Sequence, residues 1–225
     1  MRRIKRVLHT LNRFRHGRGF GVHSPFAFNF ILKTLRERTP YYAYPALDSL
    51  RRSIKHDCRA RHLMSGKHMR MLFRIVNRFN PGSILMLGSL QGEELGPLLE
   101  PDSNTLVSVC APVCEYTPQL LEKYSERIDI KASFPQEIES EFVIIGMIDD
   151  CFLLQVEDLL RRRLLSLDGH DMVIVFPHMR TNAIRRLWKE VRTDMQTGMA
   201  FYNEKSFAVA VVHHRLPRQD FRVSL

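Results

Sequence analysis

From Pro81 onward the chain alternates short apolar runs with segments of helical periodicity, and this alternation constrains the fold more than any other feature. The apolar runs fall at residues 84–87, 106–110, 128–131, 142–147 and 172–176. Helical patterns lie between or after them at 93–99, 117–127, 153–165 and 181–195. Runs this short, bounded by turn residues and rich in Val and Ile, read as strands. Strands joined by helices pair in parallel through right-handed crossovers, with helices on both faces of the sheet. The pattern predicts an α/β, Rossmann-like, doubly wound and mainly parallel sheet. Residues 199–202, the polar turn 203–206 and residues 207–213 then predict a C-terminal β-hairpin.

The first part of the chain has a different character. Residues 1–18 place Ile4, Val7, Leu8, Leu11 and Phe14 at helical spacing among Arg2, Arg3, Lys5, Arg6, Arg13 and Arg15, which is a basic amphipathic helix. Such a helix docks on a domain by its apolar stripe, or serves as an arm toward a membrane surface or nucleic acid. Ser24 and Pro25 form an N-cap and N1 pair for a second helix through about Arg36. A tyrosine-rich connector with Tyr41, Tyr42 and Tyr44 leads to a third helical pattern through about Lys55. Gly66 opens a fourth helix, with Met69, Leu72, Phe73, Val76 and Phe79 on one face, ending at Asn80, Pro81 and Gly82. The expected division is an N-terminal helical extension over 1–66 and a Rossmann-like domain over 67–225.

The chain has 225 residues, 44% of them hydrophobic, enough for one sizeable core. Its four cysteines, Cys58, Cys110, Cys114 and Cys151, lack CxxC spacing and suggest neither a disulfide framework nor a zinc site; no metal is expected, and a reducing cytoplasm fits. No apolar run is long enough to span a bilayer. The 34 Lys and Arg against 24 Asp and Glu give a formal charge of +10, which favours anionic partners such as nucleic acid or a membrane surface, contacted through residues 1–18.

Within the first βα unit, Gly88 and Gly92 bound a loop between the apolar run and the next helix. In an open α/β sheet such a turn lets backbone N–H groups and a helix N-terminus approach a ligand. A sharp turn needing positive φ explains the same glycines with no ligand at all.

The order of strands, the late hairpin and the helices in front resemble class I S-adenosylmethionine-dependent methyltransferases over nearly the whole chain. More narrowly, residues 21–28, with His23, Ser24, Pro25 and Phe26 as an H-S-P-F segment, the tyrosine connector and the helix with Leu72, Phe73 and Val76 resemble a bacterial subgroup of these enzymes. The resemblance implies S-adenosylmethionine as cofactor and a cofactor site at Gly88, Ser89, Gly92, Cys110 and Ile145. It also exposes departures. Met86 stands where the first-strand motif has an acid, Cys110 where an acid accepts the ribose hydroxyls, Ile145 where the fourth strand ends in aspartate, and Pro177 and His178 where related enzymes carry an acidic pair. A thiol is a weak acceptor in place of a two-oxygen carboxylate.

Nearby acids have ordinary explanations. Asp149 and Asp150 suit the N-terminus of the next helix, or face the cleft if the fourth strand runs longer. Glu93 and Glu94 suit a helix dipole in a first turn. His178, at the carboxyl end of the fifth strand, is the candidate general base. Cys110 and Cys114 read as ordinary thiols, Trp188 as core, and His213 and His214 as alternating faces of the last strand that cannot form one site together. Two functions follow. One is methyl transfer to an unknown acceptor; the other is a non-catalytic methyltransferase-fold protein acting as a binding or scaffold module.

Overall fold

The computed structural model describes residues 24–57, 63–88, 92–110, 122–131, 133–148, 150–166 and 171–223, with only the backbone of Asp150 and Cys151. The basic helix expected at 1–18 lies outside them. The chain order is α1 (Pro25–Phe30), a π-helical turn (Ile31–Leu35), α2 (Tyr44–Asp57), α3 (Gly66–Phe79), β1 (Ser83–Leu87), α4 (Leu95–Leu99) and β2 (Leu106–Cys110). A 3-10 turn (Ser125–Arg127), β3 (Ile128–Lys131), β4 (Phe142–Ile145), α5 (Asp150–Leu165), β5 (Met172–Phe176), α6 (Asn182–Asp194), β6 (Met199–Asn203), β7 (Phe207–Val212) and β8 (Gln219–Arg222) follow.

The local chemistry places these boundaries. Pro25 sits at the start of α1 and the Ser24 hydroxyl accepts from Ala27 N at 3.3 Å. Ser65 caps α3 in the same way through His68 N at 3.2 Å, and Thr181 caps α6 through Ile184 N at 3.2 Å. Asn80 ends α3 in the left-handed region at φ 46, a conformation its short polar side chain tolerates.

The eight strands form one sheet in the order β3-β2-β1-β4-β5-β7-β6-β8. β3, β2, β1, β4 and β5 are parallel, and β7 pairs antiparallel with both β5 and β6. The expected doubly wound sheet and terminal hairpin are both present. β8 was not anticipated: it pairs parallel with β6 from Met199↔Gln219 to Tyr202↔Arg222. Only Phe221 of its four residues is buried, so its apolar signal is too thin to read as a strand.

Alternation along the central strands splits the core in two. Ile84, Met86, Val107, Ile144 and Val175 face a layer built from α1, α2, α3 and α4. Leu85, Leu87, Val143, Ile145 and Ile174 face α5 and α6, against Leu160, Leu187 and Trp188. The early helices share the first core: the Phe30 ring packs tilted against Phe201 of β6 at 4.7 Å and against Phe79 of α3 at 5.9 Å. No helix of the described residues is long and apolar enough to cross a membrane.

Candidate functional site

In this sheet order the chain leaves β1 toward β2 on one side and leaves β4 toward β5 on the other, so the topological switch lies between β1 and β4. The carboxyl ends of β1, β4 and β5 therefore define the edge where a site forms. Gly88 and Gly92 stand there with φ of 78 and 73. Gly88 N donates to Cys110 O of β2 at 2.9 Å, and Gly146 N donates to Leu87 O at 2.9 Å, which ties the turn to both neighbouring strands. A Cβ on Gly88 would lie 2.5 Å from Met147 O and 2.7 Å from Ile148 Cγ1, so the turn requires glycine for its φ and for the close approach of the chain after β4. Ser89 lies outside the described residues.

The acids after Gly92 behave differently from the sequence expectation. Glu93 and Glu94 are 3% and 1% exposed, precede α4 rather than opening it, and Glu94 makes no capping bond. Both turn inward to His178, which follows β5 and is 2% exposed. Its Nε2 lies 3.1 Å from Glu94 Oε1 and 3.5 Å from Glu93 Oε1. Glu93 Oε1 also accepts from Met64 N at 3.2 Å, while Glu94 Oε2 is buried with no partner among the described residues. Three chain segments thus converge: the turn after β1, the turn after β5 and the entry to α3.

Burial dominates the electrostatics of this cluster. It pushes the Glu93 carboxyl up, the neighbouring Glu94 charge adds to that, and His178 only partly opposes them, leaving Glu93 at about 7. For His178 burial pulls down, but the hydrogen bond and charge of Glu94, with the charge of Glu93, overcome it and hold the imidazole above its usual 6.5. His68, at the entry to α3, is pulled down to about 4 by burial and by the charges of Lys67, His178 and Arg180. The two carboxyls and the imidazole therefore sit close enough that the charge of each bears on the others. Glu93, Glu94 and His178 also offer three ligand atoms within 4.8 Å of one another, close enough to hold a metal ion.

The remaining sequence candidates are buried in the sheet. Met86 and Ile145 are fully buried on opposite faces, and Cys110 is 1% exposed with its thiol pushed up by burial. Asp149 and Cys114 lie outside the described residues, and Asp150 begins α5. Trp188 is core as expected, edge-on to Phe176 at 5.3 Å.

The structure corrects the reading of His213 and His214. β7 ends at Val212, so the two histidines lie in a turn rather than on opposite strand faces. Their rings stack at 4.7 Å and both reach Asp171, His213 Nε2 at 3.2 Å and His214 Nδ1 at 3.1 Å. Arg215 N donates to His213 Nδ1 at 3.0 Å and Arg215 Nε to His214 Nε2 at 3.1 Å. With a donor facing the outer nitrogen of each ring, the inner nitrogens carry the protons and donate to Asp171. The group is close enough to hold a metal ion, but as hydrogen-bonded it is a latch between β5 and β7.

The missed signal in the sequence was the pair Glu93 and Glu94 itself. Adjacent acids cannot both point to water where the chain dives into the core, and leucines surround them on the C-terminal side.

This sheet order, with a hairpin in its second half and glycines after β1, is that of the class I methyltransferase fold. Solved structures of similar fold include an O-methyltransferase from Bacillus cereus in complex with SAH, at 15% identity and TM-score 0.54 over 80% of this chain and 96% of that one. They also include the O-methyltransferase TomG from Streptomyces achromogenes, involved in tomaymycin synthesis and solved with SAM, at 11% identity and TM-score 0.51 over 78% of this chain and 91% of that one. No family model matches the chain. No curated protein matches it in sequence. The protein is methyltransferase-like in fold.

Proposed function

We propose that the chain binds S-adenosylmethionine at the carboxyl edge of β1 and β4 and transfers its methyl group to an acceptor whose proton is taken by His178. The observation that carries this reading is the buried Glu94–His178 pair at 3.1 Å, assembled from the turns after β1 and β5 at the edge where doubly wound sheets bind ligands. A structural ion pair has no need of that location.

The residues fit one end of the donor better than the other. The turn through Gly88 and Gly92 brings backbone to this edge, and the orphaned Glu94 Oε2 is an acceptor for a donor's ammonium group. At the ribose end Cys110 supplies no carboxylate. When bound, the donor supplies an electrophilic methyl group. The chain's own residues hold the acceptor, exclude water and move the proton. Nε2 of His178 is committed to Glu94, so Nδ1 is the nitrogen that takes the acceptor proton, and Glu94 stabilises the imidazolium that results. Four scattered cysteines without the spacing of a disulfide framework fit a reducing, cytoplasmic setting.

The test is equilibrium dialysis with radiolabelled S-adenosylmethionine on the wild type and on Gly92→Val. One saturable site in the wild type, lost in the variant, is the expected result. A second reading, a non-catalytic binding or scaffold module, is favoured by Met86, Cys110 and Ile145, each at most 1% exposed where the resembling enzymes carry charge. No retention of the labelled donor at millimolar concentration would select it.

A further inference from the structure

Away from the glycine edge, a cleft of about 400 Å³ opens between residues 35–38 and the N-terminal half of α3. Arg36, Arg38, Lys67, Arg70 and Arg74 line it, with Glu37 and Tyr44. We propose that this cleft binds a small phosphate-bearing ligand, independently of whether the donor site is active.

A cluster of surface cations normally lies solvated, and two observations set this one apart. Arg74 is 7% exposed, yet its guanidinium meets only neutral acceptors: Nε donates to Thr34 O at 2.6 Å, Nη1 to the Tyr44 hydroxyl at 3.0 Å and Nη2 to Leu35 O at 2.9 Å. A guanidinium has five N–H groups, so these three bonds leave capacity at the cleft wall. A buried charge with no counter-charge is costly, and an anion in the cleft offsets it. The second observation is that the nearby acids, Glu37 on the wall and Asp48 beside Arg70, only partly offset the lining cations. Both Glu37 oxygens are taken by hydroxyls, Thr39 at 2.7 Å and Tyr41 at 3.3 Å, and Asp48 pairs with Arg70 at 2.5 Å. Arg70 Nε remains buried without a partner, and neither Arg38 nor Lys67 forms an ion pair among the described residues.

Size and chemistry select the ligand class. The volume suits a small molecule, and guanidinium groups match the tetrahedral oxygens of phosphate through charge-assisted bonds. Residues 63–68 form a wall common to this cleft and to the Glu94 site: Gly66 and Lys67 line the cleft, while Met64 N reaches Glu93 and Leu63 O accepts from Arg180. The cleft and the Glu93–Glu94 cluster are thereby joined through one short segment.

The experiment is calorimetric titration of the full chain with sodium pyrophosphate at low salt, on the wild type, on Arg38→Ala/Lys67→Ala and on the charge-matched control Arg161→Ala/Lys205→Ala. All four substituted residues are exposed, so each variant is expected to melt with the wild type. Saturable binding at one site per chain, weakened about tenfold or more in the cleft variant and unchanged in the control, supports the proposal. Absence of saturable heat at millimolar ligand, or equal weakening in both variants, overturns it. So does binding of a short RNA that pyrophosphate does not displace.

Discussion

At the scale of single residues, burial of two carboxyls against one imidazole organises the candidate site. Glu93 is held at about 7 by burial and by Glu94, against an ordinary value of 4.5. Between those values the folded chain keeps a proton that the unfolded chain has released, so the contribution of Glu93 to stability falls as pH rises through that window. The stability advantage of Glu93→Gln over wild type, followed as the urea midpoint from pH 5 to 8, is expected to grow with pH. His68 acts in the opposite direction: below 6.5 the unfolded chain takes up a proton that the folded chain resists down to about 4, so its contribution is lost on acidification. The turn before this cluster has its own test. Gly88→Ala places a Cβ at φ 78 and 2.5 Å from Met147 O, and is expected to cost about 3 kcal/mol in chemical denaturation. Gly82→Ala, with no atom within 4 Å of the added Cβ, is the control and is expected near neutral.

At the scale of elements, packing outweighs propensity. α1 is only six residues long and depends on Phe30 seating against Phe201. Phe201→Ala is therefore expected to lose about 3–5 kcal/mol and, in hydrogen exchange, to release amides of α1 together with β6. Thr181→Ala removes the α6 cap and is expected to cost about 1 kcal/mol, read from the same denaturation experiment. These elements also show what was legible beforehand. β2 and β5 were readable to the residue as dense apolar runs, and β3 from the alternation of Ile128 and Ile130 with Asp129 and Lys131. α3 was readable from its apolar face and its Asn-Pro-Gly stop. β8 was hidden because pairing with β6 orders it while only Phe221 is buried. His213 and His214 were misread because β7 stops one residue before them, and element ends depend on hydrogen bonds to Asp171 that lie far away in sequence.

At the scale of the whole molecule, strand order brings together what sequence distance separates. Glu94 and His178 are 84 positions apart, and only the crossing from β1 over β4 to β5 makes them neighbours. The candidate glycine edge was therefore visible in sequence, and His178 was named at its far side, but the pairing that gives His178 a role was not. Residues 63–68 join the cationic cleft to the Glu93–Glu94 cluster. The account stands on the identity of two sites, the donor edge and the Glu94–His178 pair. Ring-labelled histidine NMR tests this most directly, by following the His178 titration with and without saturating S-adenosylhomocysteine in wild type and Glu94→Gln. The account predicts a His178 titration above 6.5 in wild type that falls in Glu94→Gln, and a resonance that moves when S-adenosylhomocysteine is added. A His178 resonance that is unmoved by millimolar S-adenosylhomocysteine, titrating at the same pH in both proteins, would contradict it.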